Sequence, residues 1–306
     1  MQLSVYLPLV FSGVFGLAAP ALSRRLPPAS ATWLLSAGGL LAAAATAGAL
    51  SLLGFTLVAQ NRVLAAQGHW ADSTLQARDP VAAPVAAAAL AILAVLAVRS
   101  ASSLLRRFSA VRAAHRLAAA LSCTDAELVV LDSPDTAAYA VPGRPGRIVV
   151  SSGLLRRLDA GERRAVLAHE RAHLARHHHL HQSAAHLAAA ANPLLWRLPA
   201  QVAATCERWA DEEAALGDGR QVVAAALTRA GTGYRLSPGP SVVLAGVVDV
   251  ADRVVALWEP PQRLSMWRAA LLLGLVGAAT AAVAVAAHDT ERLFELARAA
   301  YRAGLR

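Results

Sequence analysis

Four stretches of this chain run for about 17 residues or more with almost no charge, and nothing else constrains its fold as strongly. They cover residues 3–22 (LSVYLPLVFSGVFGLAAPAL), about 32–59, about 81–98 and about 267–287. At about 1.5 Å of rise per residue, a helix of that length crosses the roughly 30 Å hydrocarbon layer. The mean hydropathy of +0.45 over 306 residues agrees with such a load of membrane helix. A cleaved signal peptide carries positive charge ahead of its apolar core, whereas here Arg24 and Arg25 follow the first run. That run therefore reads as a span. The second is rich in Gly and Ala, which lets helices approach closely in lipid.

The net charge is +9, and all 29 basic residues are arginine. They sit beside the apolar runs rather than in a stripe of their own, so they read as topology signals and no direct nucleic-acid binding is expected. Arg24 and Arg25 lie between the first two runs, and Arg99, Arg106, Arg107, Arg112 and Arg116 follow the third. The loop between runs two and three is balanced by Asp72 and Asp79. The positive-inside bias then predicts a multi-pass cell-membrane protein with residues 99–266 in the cytoplasm and both termini outside. Cys123 and Cys206 have no C-x-x-C partner, which argues against a disulfide framework and against a cysteine-ligated metal.

The expected organisation is an N-terminal membrane region (1–98) with three spans, a cytoplasmic α+β domain (99–266), a fourth span (267–287) and a short amphipathic tail (288–306). Within the domain, a basic helix over about 101–121 leads to three strand-like segments, ELVVLDS (127–133), TAAYAV (136–141) and RIVVSS (147–152). The last two flank PGRPG and predict a hairpin. Asp159 with Glu162 three residues on forms a capping-box pattern, predicting a helix over about 160–178.

That helix carries H-E-x-x-H at His169, Glu170 and His173. Four residues advance a helix by about 400°, so both imidazoles project from one face and can meet a single Zn²⁺. Glu170 is displaced around the helix and is placed to take the proton of an attacking water. A catalytic zinc site needs a third protein ligand, and Glu207, in TCERWADEEAAL, is the next candidate. Asp211 lies one turn later on the same face and suits the free N–H of a ligating imidazole. Glu212 and Glu213 are rivals whose spacing to Glu207 fits less well. His177, His178, His179 and His181 read as a polar helix end, because His177 would sit a further turn, about 6 Å, beyond His173.

H-E-x-x-H, then Asn192-Pro193-Leu194-Leu195-Trp196, then Glu207-x-x-x-Asp211 resembles the BlaR/MecR type of membrane metallopeptidase, within the gluzincin group. The resemblance covers about residues 125–216 in motif detail and the four-span plan in outline. It implies a gluzincin-like zinc peptidase domain inserted between spans three and four, with one Zn²⁺ per chain on His169, His173 and Glu207. Glu170 is then the general base and Asp211 supports a ligand. The implied substrate is a protein, such as a cytoplasmic repressor. The same pattern is shared by the HtpX or prenyl-protease type, which leaves membrane quality control as an alternative, and an inactive transducer or scaffold as another. The chain continues for about 19 residues past the fourth run, so the penicillin-binding sensor of drug-sensing relatives is not expected within it, and a separate sensor or regulator is.

Three further expectations follow. Strand 147–152, with Ile148, Val149 and Val150, would pack on the catalytic helix, and the gluzincin resemblance implies a free edge there that binds extended substrate. Tyr234 or Arg235 could stabilise an oxyanion, though nothing in the sequence places them. Residues 183–199 are apolar, short and broken by Asn192-Pro193, and read as a re-entrant or interfacial element. A homo-oligomer is open to the chain.

Overall fold

The structure is a computed structural model, and it describes residues 5–78, 81–120, 127–143, 145–231, 250–260 and 266–304. Two long helices open the chain, α1 (Leu7–Arg25) and α2 (Pro28–Ala59), followed by the short α3 (Arg62–Gly68) and α4 (Asp72–Arg78). The third apolar run and the basic segment after it form one continuous helix, α5 (Ala83–Ala120). A continuous Ala-rich sequence without Gly or Pro after Pro84 gives that helix no place to break. Among the described residues, three helices are long and apolar enough to cross a membrane: α1, α2 and the Ala83–Arg116 part of α5.

Three strands follow: β1 (Leu128–Leu131), β2 (Ala138–Val141) and β3 (Arg147–Ser151). Their order is β1-β3-β2, with β2 antiparallel and β1 parallel to β3. The expected hairpin is therefore present, but β3 is the central strand. Ile148, Val149 and Val150 are each no more than 1% exposed. The expectation that they offer a free substrate edge is wrong, because parallel pairing by β1 covers that side. The strand that borders the helix carrying His169 and His173 as an edge is β2.

Next come α6 (Ser152–Arg157), α7 (Ala160–Ala175) and α8 (His178–Ala191), a 3-10 turn (Pro193–Leu195) and α9 (Leu198–Asp218). Helices α10 (Arg220–Gly231), α11 (Val250–Trp258) and α12 (Met266–Arg302) complete the fold. The capping box is formed in both directions: Glu162 N–H donates to Asp159 Oδ1 and Asp159 N–H to Glu162 Oε2, each at 2.9 Å. Helix α7 stops three residues short of the predicted end, at a left-handed His177 (φ 50°). The segment 267–287 and the tail after it belong to one helix, α12, which packs on α1, α2 and α4.

Helices α8 and α9 form a hairpin that enters the bundle of α1, α2 and α5. Phe15, Ala19, Leu35, Ala42 and Ala43 share one core with Ala185, Ala188, Leu195, Leu198, Val202 and Cys206. Glycines admit the hairpin: a Cβ on Gly16 would collide with the Leu194 carbonyl, and one on Gly39 with a Leu198 methyl. Polar side chains are paired in that core. Asn192 Nδ2 donates to Thr46 Oγ1 at 2.9 Å, and Ser12 Oγ lies 3.1 Å from the same hydroxyl. Thr46 is about 27 Å along α2 from Pro28. Residues 183–199 thus form the end of α8, the turn and the start of α9 in this buried hairpin, whose backbone turn Asn192 closes by accepting from Leu194 N–H at 3.1 Å.

Candidate metal centre

Helices α7 and α9 pack side by side and bring His169, Glu170 and His173 against Glu207 and Asp211. Among the described residues, one group of His, Cys, Asp and Glu could hold a metal ion: His169, His173 and Glu207, with donor atoms all within 4.8 Å of one another. The two Nε2 atoms are 3.0 Å apart. Glu207 Oε2 is 3.4 Å from His169 Nε2, and Oε1 is 3.5 Å from His173 Nε2. A tetrahedral zinc with ligands at about 2.0–2.1 Å separates its donors by about 3.4 Å. The residues fit the ion. On the far side of its ring, His169 Nδ1 faces Asp211 Oδ1 at 3.0 Å, the carboxylate support a ligating imidazole uses.

Glu170 is 7% exposed and accepts a hydrogen bond from the backbone N–H of Ala140 on β2. Burial pushes its carboxyl up to about 7, with Glu207 adding to the rise and the charges of His169 and Arg253 opposing it. That is the range in which a carboxylate both accepts and returns a proton near neutrality. Burial raises the cost of charge on Glu207, yet Arg253 and the two histidines hold it well below the usual carboxylate range. Burial likewise opposes charge on His169, but the Asp211 and Glu207 carboxylates prevail and lift it to about 10 among the protein groups alone. His173 goes the other way, to about 4, because burial dominates and its cationic neighbours add to it.

Two residues at the centre escaped the sequence reading. Arg253 of α11 places Nη1 3.0 Å from Glu207 Oε2 and binds Asp211 through both Nη2 and Nε. His178, taken with the polar helix end, is instead 1% exposed, with Nδ1 2.9 Å from His173 Nδ1. Burial, then His173 beside it, pushes His178 down to about 2. The signal for His178 was the left-handed break at His177, which no periodicity reveals. For Arg253 it was a lone basic residue in the amphipathic VADRVVALW. The rival acids turn outward to arginines: Glu212 to Arg220 at 2.7 Å and Glu213 to Arg176 at 2.8 Å. Tyr234 and Arg235 lie outside the described residues.

The centre is tied to the ends of α1 and α2 that flank Arg24 and Arg25. Arg208 Nη1 donates to the Ser23 carbonyl at 2.9 Å, Ser23 Oγ to Gln201 Oε1 at 2.6 Å, and Thr32 Oγ1 to Thr205 Oγ1 at 2.9 Å.

The model of Peptidase family M48 matches residues 105–235, a stretch that includes His169, Glu170, His173, Glu207 and Asp211 but ends before Arg253. This likeness supports a metallopeptidase, and peptidases of that family are typically zinc-dependent. It does not carry the BlaR/MecR resemblance drawn from the Asn192–Trp196 run. No curated protein and no solved structure matches the chain.

Proposed function

We propose that the chain is a membrane-embedded zinc endopeptidase that hydrolyses peptide bonds of protein substrates at the cytoplasmic face. The observation that carries this is the His169–His173–Glu207 donor triangle with Glu170 buried beside it. One zinc ion held there would supply Lewis acidity to the water and to the scissile carbonyl. Glu170 holds the proton of the attacking water and returns it to the leaving amine. Ala140 N–H fixes the Glu170 carboxylate from β2. Asp211 and Arg253 hold His169 and Glu207 in place and balance the carboxylate charge.

The cytoplasmic assignment draws support from Arg208 and Thr205, which tie α9, the helix that carries Glu207, to the Arg24–Arg25 end of the bundle. The four-span plan places the fourth crossing at 267–287, within α12. A cytoplasmic repressor as dedicated substrate follows from the BlaR/MecR resemblance alone. A general role in clearing membrane or unfolded proteins uses the same chemistry and is the alternative reading, since the M48 likeness supports a metallopeptidase of either role.

The test uses the full chain in detergent. Metal analysis should return about one zinc per chain, lost in His169→Ala. Glu170→Gln should keep the zinc and lose cleavage of an unfolded protein substrate. Full zinc with cleavage untouched by Glu170→Gln refutes the mechanism, and no zinc in the wild type refutes the reading altogether.

A further inference from the structure

We propose that His178 is a positioning residue that fixes the tautomer of His173, holding its proton on Nδ1 so that Nε2 stays free to bind metal. The inference rests on the metallopeptidase reading and names a residue to which that reading gives no role.

A neutral imidazole carries one proton on one of two nitrogens, and metal takes the other. His173 Nε2 is the atom turned to His169 and Glu207, at 3.0 and 3.5 Å. Its proton therefore belongs on Nδ1, and the group facing Nδ1 is His178 Nδ1 at 2.9 Å, with the rings edge to face at 4.7 Å. His178 Nδ1 must then accept, which leaves the His178 proton on Nε2. Among the described residues that nitrogen is buried without a hydrogen-bond partner, against the Trp209 ring at 5.1 Å. The reverse arrangement, with His178 donating, would move the His173 proton to Nε2 and block the ligand.

The backbone builds this contact deliberately. In a continuous helix a residue five positions after His173 would lie about 140° around the axis. The left-handed His177 (φ 50°, ψ 41°) reverses the chain and returns His178 to the inside as the first residue of α8. One turn on, His181 Nδ1 lies 2.9 Å from Ser36 Oγ and anchors that end of α8 to α2. The two ligating imidazoles thus have different supports. His169 leans on a carboxylate, and His173 on a neutral ring that adds no negative charge to a site already holding Glu207, Asp211 and Glu170.

The test compares full-length variants for zinc affinity by chelator competition and for the d–d spectrum of the Co²⁺-loaded protein. His178→Phe and the smaller His178→Leu fill the site but accept no hydrogen bond. His178→Asn places Oδ1 where Nδ1 stands. The first two should weaken zinc by about 10–100-fold and perturb the cobalt spectrum. His178→Asn should recover most of the affinity and the native spectrum. Wild-type zinc affinity in a folded Phe or Leu variant overturns the proposal, as does equal loss in Asn, Phe and Leu. A wild-type chain that binds no zinc overturns the metallopeptidase reading and this inference with it.

Discussion

The Arg253 guanidinium grips both oxygens of the Asp211 carboxylate, Nη2 to Oδ1 at 2.6 Å and Nε to Oδ2 at 2.9 Å. The Asp211 side chain is 3% exposed and that of Arg253 12%. Breaking such a buried pair from one side leaves an uncompensated charge, which costs about 3–5 kcal/mol. Arg253→Leu should therefore lower the unfolding midpoint strongly, and Arg253→Lys should not restore it, because an ammonium cannot make the two-pronged contact. The double variant Asp211→Asn/Arg253→Leu should be less damaged than the sum of its parts. Additive losses in thermal unfolding would show that the pair is not coupled.

The residues that were legible in the sequence are those whose partners lie on the same helix. His169 and His173, Glu207 and Asp211, and Asp159 and Glu162 are each three or four residues apart, and helical geometry alone aligns them. Strand positions were readable from β-branched runs, but not strand order. The parallel partner of β3 comes from β1, beyond the hairpin, and only that pairing buries Ile148–Val150. Arg253 was hidden because it reaches Asp211 across 42 positions, through tertiary packing that leaves no periodic trace. His178 was hidden by a single residue, since the helix continues on paper and breaks at His177 in the fold.

The Glu170 carboxyl gives a pH signature in protein stripped of metal. Its folded value, raised from 4.5 to about 7 by burial, exceeds the unfolded one. Folding therefore benefits from the protonated form at low pH, and that benefit is lost as pH rises from 4.5 through about 7. Glu170→Gln mimics the protonated form at every pH. It should match the wild type near pH 4 and exceed it at pH 8 by up to about 3 kcal/mol, at about 1.4 kcal/mol per unit. Equal unfolding midpoints for the two proteins at pH 8, with chelator present, would contradict the buried placement of this side chain.

Gly16 tests whether the hairpin tip is seated against α1. A Cβ there meets a backbone carbonyl, Leu194 O, which cannot rotate away as a side chain would. Gly16→Val should cost about 1–3 kcal/mol through overpacking. At Gly13, one turn earlier, nothing among the described residues lies within 4 Å of the added atom, so Gly13→Val should be tolerated. The two variants have nearly the same composition and helix propensity, so a difference in thermal stability isolates the contact. Equal behaviour would mean that the tip is not packed there.

The shared core makes a stronger prediction about what the catalytic segment needs. Leu198, Val202 and Cys206 on α9 are fully buried, and with Ala185 and Ala188 of α8 they lie against α1 and α2. Each large apolar side chain returned to water costs about 1.5–3 kcal/mol. Removing the first two helices would also strip Thr205, Gln201 and Arg208 of Thr32 and Ser23. Glu207 lies between two of those anchored positions, one residue from Cys206 and from Arg208. A fragment of residues 99–266 should therefore fail to hold zinc with the affinity of the full chain, even though it contains His169, His173 and Glu207. Adding a chain of residues 1–98 in the same detergent should restore binding if the loss is one of packing. Full zinc affinity in the fragment alone would show that the centre stands without its membrane helices.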